Sequence, residues 1–347
     1  MSLPSHQSAP RLPAVDLFRV LGILAVIGLH VGYQVDPAAI GQRFDGAALV
    51  GQLERFAVPM FFVLSGYFWA AKCAHAGDCW PRALALARRL LLLFACWCAI
   101  YAAFDIAAAA LRQGSPMQGL AVVAARHTGP LTLLLQGTRV HLWFLPALAG
   151  AALVSGALLA RGRWRWLALL AALAYLTGLA GKAYAPVLGL SWHFNFRNGP
   201  FFSLAPFAAG IALRRIGPSR AWLARGALIA VAGLALQLCE VGWLHRAWGA
   251  SLEQDYVFGT FAYGLGIAMV ALSGAGPQRM GRLAAVGALT LGIYLSHYLF
   301  IGLLYPLDAM LRGHPAWQAA YVALVFACAL ALTALLARWA PTRRLVL

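Results

Sequence analysis

Asp16, Arg19 and His30 fall on one face of the first apolar run of this chain, where they could hold an anionic group and move a proton. Eleven residues separate Arg19 from His30, close to three helical turns, so the two side chains share a face about 16 Å apart along the axis. Asp16, three residues before Arg19, joins the stripe and can fix the guanidinium by pairing with it. An ionisable group near the middle of a spanning helix costs about 2–3 kcal/mol, so such groups normally face a protein interior or an aqueous cavity. Histidine titrates near neutrality and can take the proton of an attacking hydroxyl, or carry an acyl group itself. Arginine favours negative charge and grips it with a planar fork. The plainer use of the three residues is an Asp–Arg pair between helices beside a hydrogen-bonded histidine, yet three ionisable groups on one apolar face are rare without function.

Further candidates follow along the chain. The run VPMFFVLSGYF at 58–68 holds Ser65 and Gly66, which serve either as a small surface for helix approach or as a hydroxyl in a site. Lys72, Arg82, Arg88 and Arg89 gather before the third apolar run; they suit the phosphates of a nucleotide-like donor, and equally lipid headgroups. His141 and Trp143 enter the fourth run in TRVHLWFLP, where the tryptophan also fits an interfacial belt. The segment SWHFNFRNG at 191–199 interleaves His193, Asn195, Arg197 and Asn198 with aromatic rings, a surface suited to a sugar or to a plain amphipathic loop. Gly199-Pro200 then signals a helix start, placing Arg197 and Asn198 at its mouth. His297 in IYLSHY lines the same site or packs in the core, and Asp105 and Glu240 have no partner visible in sequence. The six cysteines form neither a metal-ligand pattern nor a disulfide framework, and no metal is expected.

The elements that must carry these residues are membrane helices. The chain is 62% hydrophobic and 11% charged, which excludes an ordinary soluble domain. Its net charge of +17 comes from basic residues scattered between apolar runs, so it points to membrane topology and lipid contact, with no nucleic acid. About ten spans can be drawn, at 15–33, 50–71, 84–111, 141–160, 164–186, 200–213, 222–244, 256–274, 283–305 and 317–338. Seventeen basic residues then lie on the side of the N-terminus and nine on the other, which places both termini in the cytoplasm, N-in and C-in. The expected organisation is an all-α, polytopic integral membrane helix bundle, one domain at 15–338 between a disordered cytoplasmic tail at 1–14 and a second tail at 339–347. Residues 15–33 read as a retained span because no small-residue cleavage site follows them.

Taken together, Arg19-x10-His30, VPMFFVLSGYF, HLWFLPAL at 141–148, FRNGPFFSLAPFAAG at 196–210 and LGIYLSHY at 291–298 resemble the membrane-bound acyltransferase 3 family over about residues 14–338. The resemblance implies ten spans and transfer of an acyl group, often acetyl from acetyl-CoA, to a hydroxyl of a surface sugar or related acceptor. For such a transfer the residues themselves offer His30 as catalytic base or acyl carrier, with Arg19 lining the donor channel and Asp16 pairing with it. Donor contacts would come from Lys72, Arg82, Arg88 and Arg89, and acceptor contacts from Ser65, His141, Trp143, Arg197, Asn198 and His297. Many members carry Arg-x-x-Arg before the third span, whereas here the arginines stand at 82, 88 and 89. The expected partners are an acyl-CoA donor, a glycan acceptor and the lipids of the cytoplasmic membrane, with homo-oligomer formation open. A transporter or flippase of a lipid-linked or acylated solute is the alternative class, although the halves 15–160 and 164–338 show neither an internal repeat nor paired acidic residues for ion coupling.

Overall fold

The computed structural model describes residues 13–32, 46–76, 79–113, 129–275, 281–312, 314 and 316–346, with scattered positions between 115 and 124. Most of the expected N-terminal tail, residues 1–12, lies outside the described residues, as do Arg43, Arg126 and Arg279 of the charge tally. Every regular element among the described residues is helical. The order is α1 (Pro13–Val31), α2 (Gly46–Glu54), α3 (Ala57–Ala76), α4 (Cys79–Gln113), α5 (Pro130–Gln136), a 3-10 turn (Val140–Trp143) and α6 (Phe144–Leu159). It continues with α7 (Trp164–Gly181), α8 (Pro200–Ile216), α9 (Ala221–Trp248), α10 (Phe258–Leu272), α11 (Gly281–Ala288), α12 (Thr290–Leu303), α13 (Tyr305–Leu311), α14 (Trp317–Leu336) and α15 (Ala340–Arg343).

Among the described residues seven stretches are long and apolar enough to cross a hydrocarbon core, and an eighth if the bent pair α12–α13 is one span. The chain is thus a multi-pass membrane helix bundle. Two of the ten spans drawn from sequence are not among these stretches: α8 has 17 residues and α10 has 15, about 26 and 23 Å at the α-helical rise. Hydropathy alone does not separate such packed helices from spanning ones. Proline explains the breaks. Pro59 lacks the N–H that would bond the Arg55 carbonyl, and the chain turns at Arg55 and Phe56 between α2 and α3. Pro306 stands at the start of α13, which bends 62° away from α12.

The outer surface is apolar, with Leu92, Leu173 and Leu228 among the exposed side chains, as lipid contact requires. Inside, Phe62, Trp97, Tyr101, Phe207 and Tyr256 are fully buried. Glycines let helices meet at backbone distance. A Cβ on Gly66 would run into the Phe207 carbonyl on α8, and one on Gly210 into the Val63 carbonyl on α3. Gly66 is therefore a packing residue, which leaves its neighbour Ser65 facing the cavity described below. The C-terminal segment packs into the bundle: Trp97 Nε1 donates to the Leu345 carbonyl at 2.9 Å, and Val346 is buried.

Candidate active site

Three histidines from three elements meet at one end of the bundle. His30 comes from the last turn of α1, His141 from the 3-10 turn and His297 from α12. Their ring centroids lie 5.4 Å apart for His30–His297, 6.1 Å for His30–His141 and 4.9 Å for His141–His297. Tyr298 stacks on His141 at 4.9 Å with the planes 6° apart. His297 Nδ1 sits 2.6 Å from the Tyr294 carbonyl, which makes that nitrogen the donor, while its Nε2 is buried without a partner. Both ring nitrogens of His141 are likewise buried without a partner.

The scaffold behind this cluster is polar and tightly tied. Arg139, at the entry to the 3-10 turn, clasps Asp105 of α4 with both branches of its guanidinium, one at 2.8 Å. The same guanidinium lies 5.4 Å from the Tyr101 ring and 6.0 Å from the Tyr298 ring. Tyr101 donates to the Leu295 carbonyl at 2.7 Å, and Tyr294 donates to the His141 carbonyl. These bonds hold the 3-10 turn against α4 and α12, so His141 has little freedom to move.

A cavity of about 700 Å³ opens beside the cluster. Val58 and Lys72 both line it from α3, fourteen residues and so about 21 Å apart along the helix. Arg19 contacts Phe68, one turn before Lys72 on α3, and Arg82 lies in the first turn of α4, just after α3 ends, so with Arg89 these cations line the end away from Arg55; Arg55 and Arg197 meet on Asp255, and Arg197 lies over Trp143, at the end with His30 and His141. Arg82 and Arg89 are seven residues apart, two turns of α4, and so share the lining face; Arg88 is exposed like both of them but does not line the cavity. Arg19 lies 5.3 Å from the Phe68 ring and pairs with Asp16 at 3.3 Å, which keeps Asp16 behind it and out of the lining.

At the histidine end one carboxylate organises three cations. Asp255 accepts from Arg55 at 3.1 Å, Arg197 at 3.3 Å and Lys182 at 2.8 Å. Burial alone would push its carboxyl up, but Arg197, Arg55 and Lys182 outweigh burial and hold it well below the usual carboxylate range. Arg197 also lies 5.0 Å over the Trp143 ring. Asn198, expected beside Arg197 as an acceptor contact, is buried, reaches Gln136 at 3.4 Å and is not in the cavity wall. Nor is His297, which supports the cluster from behind. Ser65, His141, Trp143 and Arg197 do line the cavity. Sequence reasoning gave no site role to Arg55, Lys182 and Asp255, and missed Arg139, Tyr294 and Tyr298 as supports, although Arg139 stands two residues before His141 and Tyr294 and Tyr298 flank His297. Among the described residues no group of three or more His, Cys, Asp or Glu side chains is placed to hold a metal ion.

Comparison with known proteins places these features in context. Residues 12–337 match the acyltransferase 3 family, described as an acyltransferase domain. The chain is also similar to a serine/alanine racemase of Enterococcus gallinarum, 26% identical over 261 residues that cover 70% of this chain and 35% of the relative. It thus spans about a third of that relative's length. No solved structure matches.

Proposed function

We propose that this chain, which belongs to the membrane-bound acyltransferase 3 family, moves an acyl group, acetyl in the simplest case, from cytoplasmic acyl-CoA to a hydroxyl of a sugar on the other face of the membrane. The observation that carries this reading is the cavity, with four cations toward one end and His30 toward the other. Lys72, Arg82, Arg89 and Arg19 suit the phosphates of CoA, which are too highly charged to cross hydrocarbon unaided. The pantetheine arm then brings the thioester up the cavity toward His30.

In this scheme the acceptor hydroxyl lies between His30 and the thioester carbonyl. His30 takes the hydroxyl proton as the oxygen attacks, the tetrahedral intermediate collapses, the C–S bond breaks, and the CoA sulfur leaves with the proton held by the imidazolium. The products are an O-acyl ester and free CoA, with no redox change. Asp16 fixes Arg19, while Trp143 and Arg197 face the acceptor. Both termini lie in the cytoplasm, α8 and α10 count among about ten passes, and the membrane is the cytoplasmic one, as the charge tally supports. The racemase activity named for the relative is not carried over, because the match covers only 35% of that protein.

Sealed vesicles of known orientation test the scheme. Labelled acetyl-CoA should be consumed only when the cytoplasmic face is outward, with the acetyl ester appearing in the lumen. Consumption at equal rates from either face would reject the sidedness. Acetylation confined to the cytoplasmic face would reject the transmembrane step.

A further inference from the structure

Among the described residues, the histidine end of the cavity holds more positive charge than its carboxylate balances. Arg55, Arg197 and Lys182 converge on the single group Asp255. Among the described residues that line the cavity, Asp255 is the one carboxylate. The Nε atoms of Arg55 and Arg197 are both buried and carry no hydrogen-bond acceptor among the described residues. The two guanidiniums share Asp255 Oδ1, so each spends an Nη donor there and keeps its Nε donor unspent. They are also fixed in place. Arg197 lies over Trp143, and Asn195 Oδ1 accepts both its main-chain N–H at 3.1 Å and Lys182 Nζ at 3.0 Å.

Uncompensated charge away from water is costly, and it persists where a ligand supplies the opposite sign. A neutral sugar would leave these donors partly satisfied but the excess charge unbalanced. An oxyanion answers both, because guanidinium forks match its geometry and charge. Of the cations suited to the donor phosphates, Lys72 lies about 21 Å from Val58 along α3 and Arg19 about 16 Å from His30 along α1, so a second anionic group is called for at the histidine end. We propose that Arg55 and Arg197, held by Asp255, bind an oxyanion group carried by the acceptor, so that the substrate class is an acidic or phosphorylated sugar and not a neutral one. That the ligand is the acceptor rests on the acyltransferase reading; that the site takes an oxyanion does not.

The test uses the full chain in lipid nanodiscs at constant ionic strength. Binding of methyl β-glucuronide and glucose 6-phosphate is compared with that of neutral methyl β-glucoside, by ligand-observed NMR. At least one charged probe should bind about tenfold or more tightly than the neutral one. Arg197→Gln should abolish that preference and Arg197→Lys should retain part of it, with monodisperse elution showing that the variants fold. Equal binding of all three probes by the wild type overturns the proposal, and so does failure of both charged probes to bind. It is also overturned if the preference survives in the Arg55→Gln/Arg197→Gln double variant. Competitive displacement of the charged probe by CoA assigns the arginines to the donor and likewise overturns it. Acetyl-CoA turnover measured on the same wild-type preparation separates the two readings: turnover without oxyanion preference sinks this inference alone, and preference without turnover sinks the acyltransferase scheme alone.

Discussion

Replacing Asp255 with alanine leaves Arg55, Arg197 and Lys182 facing one another without their shared anion. The wild-type carboxylate is 18% exposed and accepts from all three at 2.8–3.3 Å. Removing one partner from a buried ion cluster costs about 3–5 kcal/mol, a factor of roughly 10²–10⁴ in the folding equilibrium. Denaturant or thermal unfolding in detergent, followed by tryptophan fluorescence, reads the loss. Lys182→Met in the same background should recover part of it by removing one uncompensated charge. The pH dependence has a defined sign. Because the folded-state carboxyl is held low, its stabilisation is fully present above the unfolded value near 3.9 and is lost as the pH falls below it. The gap between wild type and Asp255→Ala should therefore narrow by about 1 kcal/mol between pH 5 and pH 3. A variant within about 0.5 kcal/mol of wild type, or a gap that widens on acidification, would refute the ion-cluster argument.

Two further outcomes follow from the opposite end of the cavity. Arg19→Ala and Asp16→Ala should each weaken the protein, with the double variant milder than the sum by about 0.5 kcal/mol or more; strict additivity in a double-mutant cycle would show that the 3.3 Å pair carries no coupling. Arg82→Gln and Arg89→Gln should raise KM for acetyl-CoA about tenfold or more, whereas Arg88→Gln, outside the cavity wall, should change it by less than about threefold; equal effects at the three positions would detach the donor site from this cavity.

What sequence makes legible here depends on how far the argument must reach along the chain. Asp16, Arg19 and His30 share one helix, so the helical period alone puts them on one stripe, and the Asp16–Arg19 pair forms as that spacing implies. Arg139 and Asp105 lie 34 residues apart and Arg55 and Asp255 lie 200 apart, so no local pattern links either pair. Glu240 is a case of the same kind. It lacks a partner in sequence, yet it accepts from the Gly259 N–H at 2.7 Å, the Phe258 N–H at 3.2 Å and the Tyr184 hydroxyl, so it caps the start of α10. Arg88 illustrates the opposite limit. Sequence groups it with Arg82 and Arg89, but its place on the helix turns it away from the shared face. Span number was legible only in outline, since the apolar composition of α8 and α10 fits a packed helix and a membrane crossing equally well.

Whether His30 moves the proton in acyl transfer from CoA is decided by acetyl-CoA turnover of purified wild-type and His30→Ala protein reconstituted in liposomes. A general base usually contributes 10²–10⁴-fold, so the variant should lose at least about a hundredfold in turnover while its unfolding transition stays close to wild type, because His30 lies at the cavity wall where its loss leaves no charge unpaired. A well-folded His30→Ala protein that keeps more than about a tenth of wild-type turnover would show that another group moves the proton.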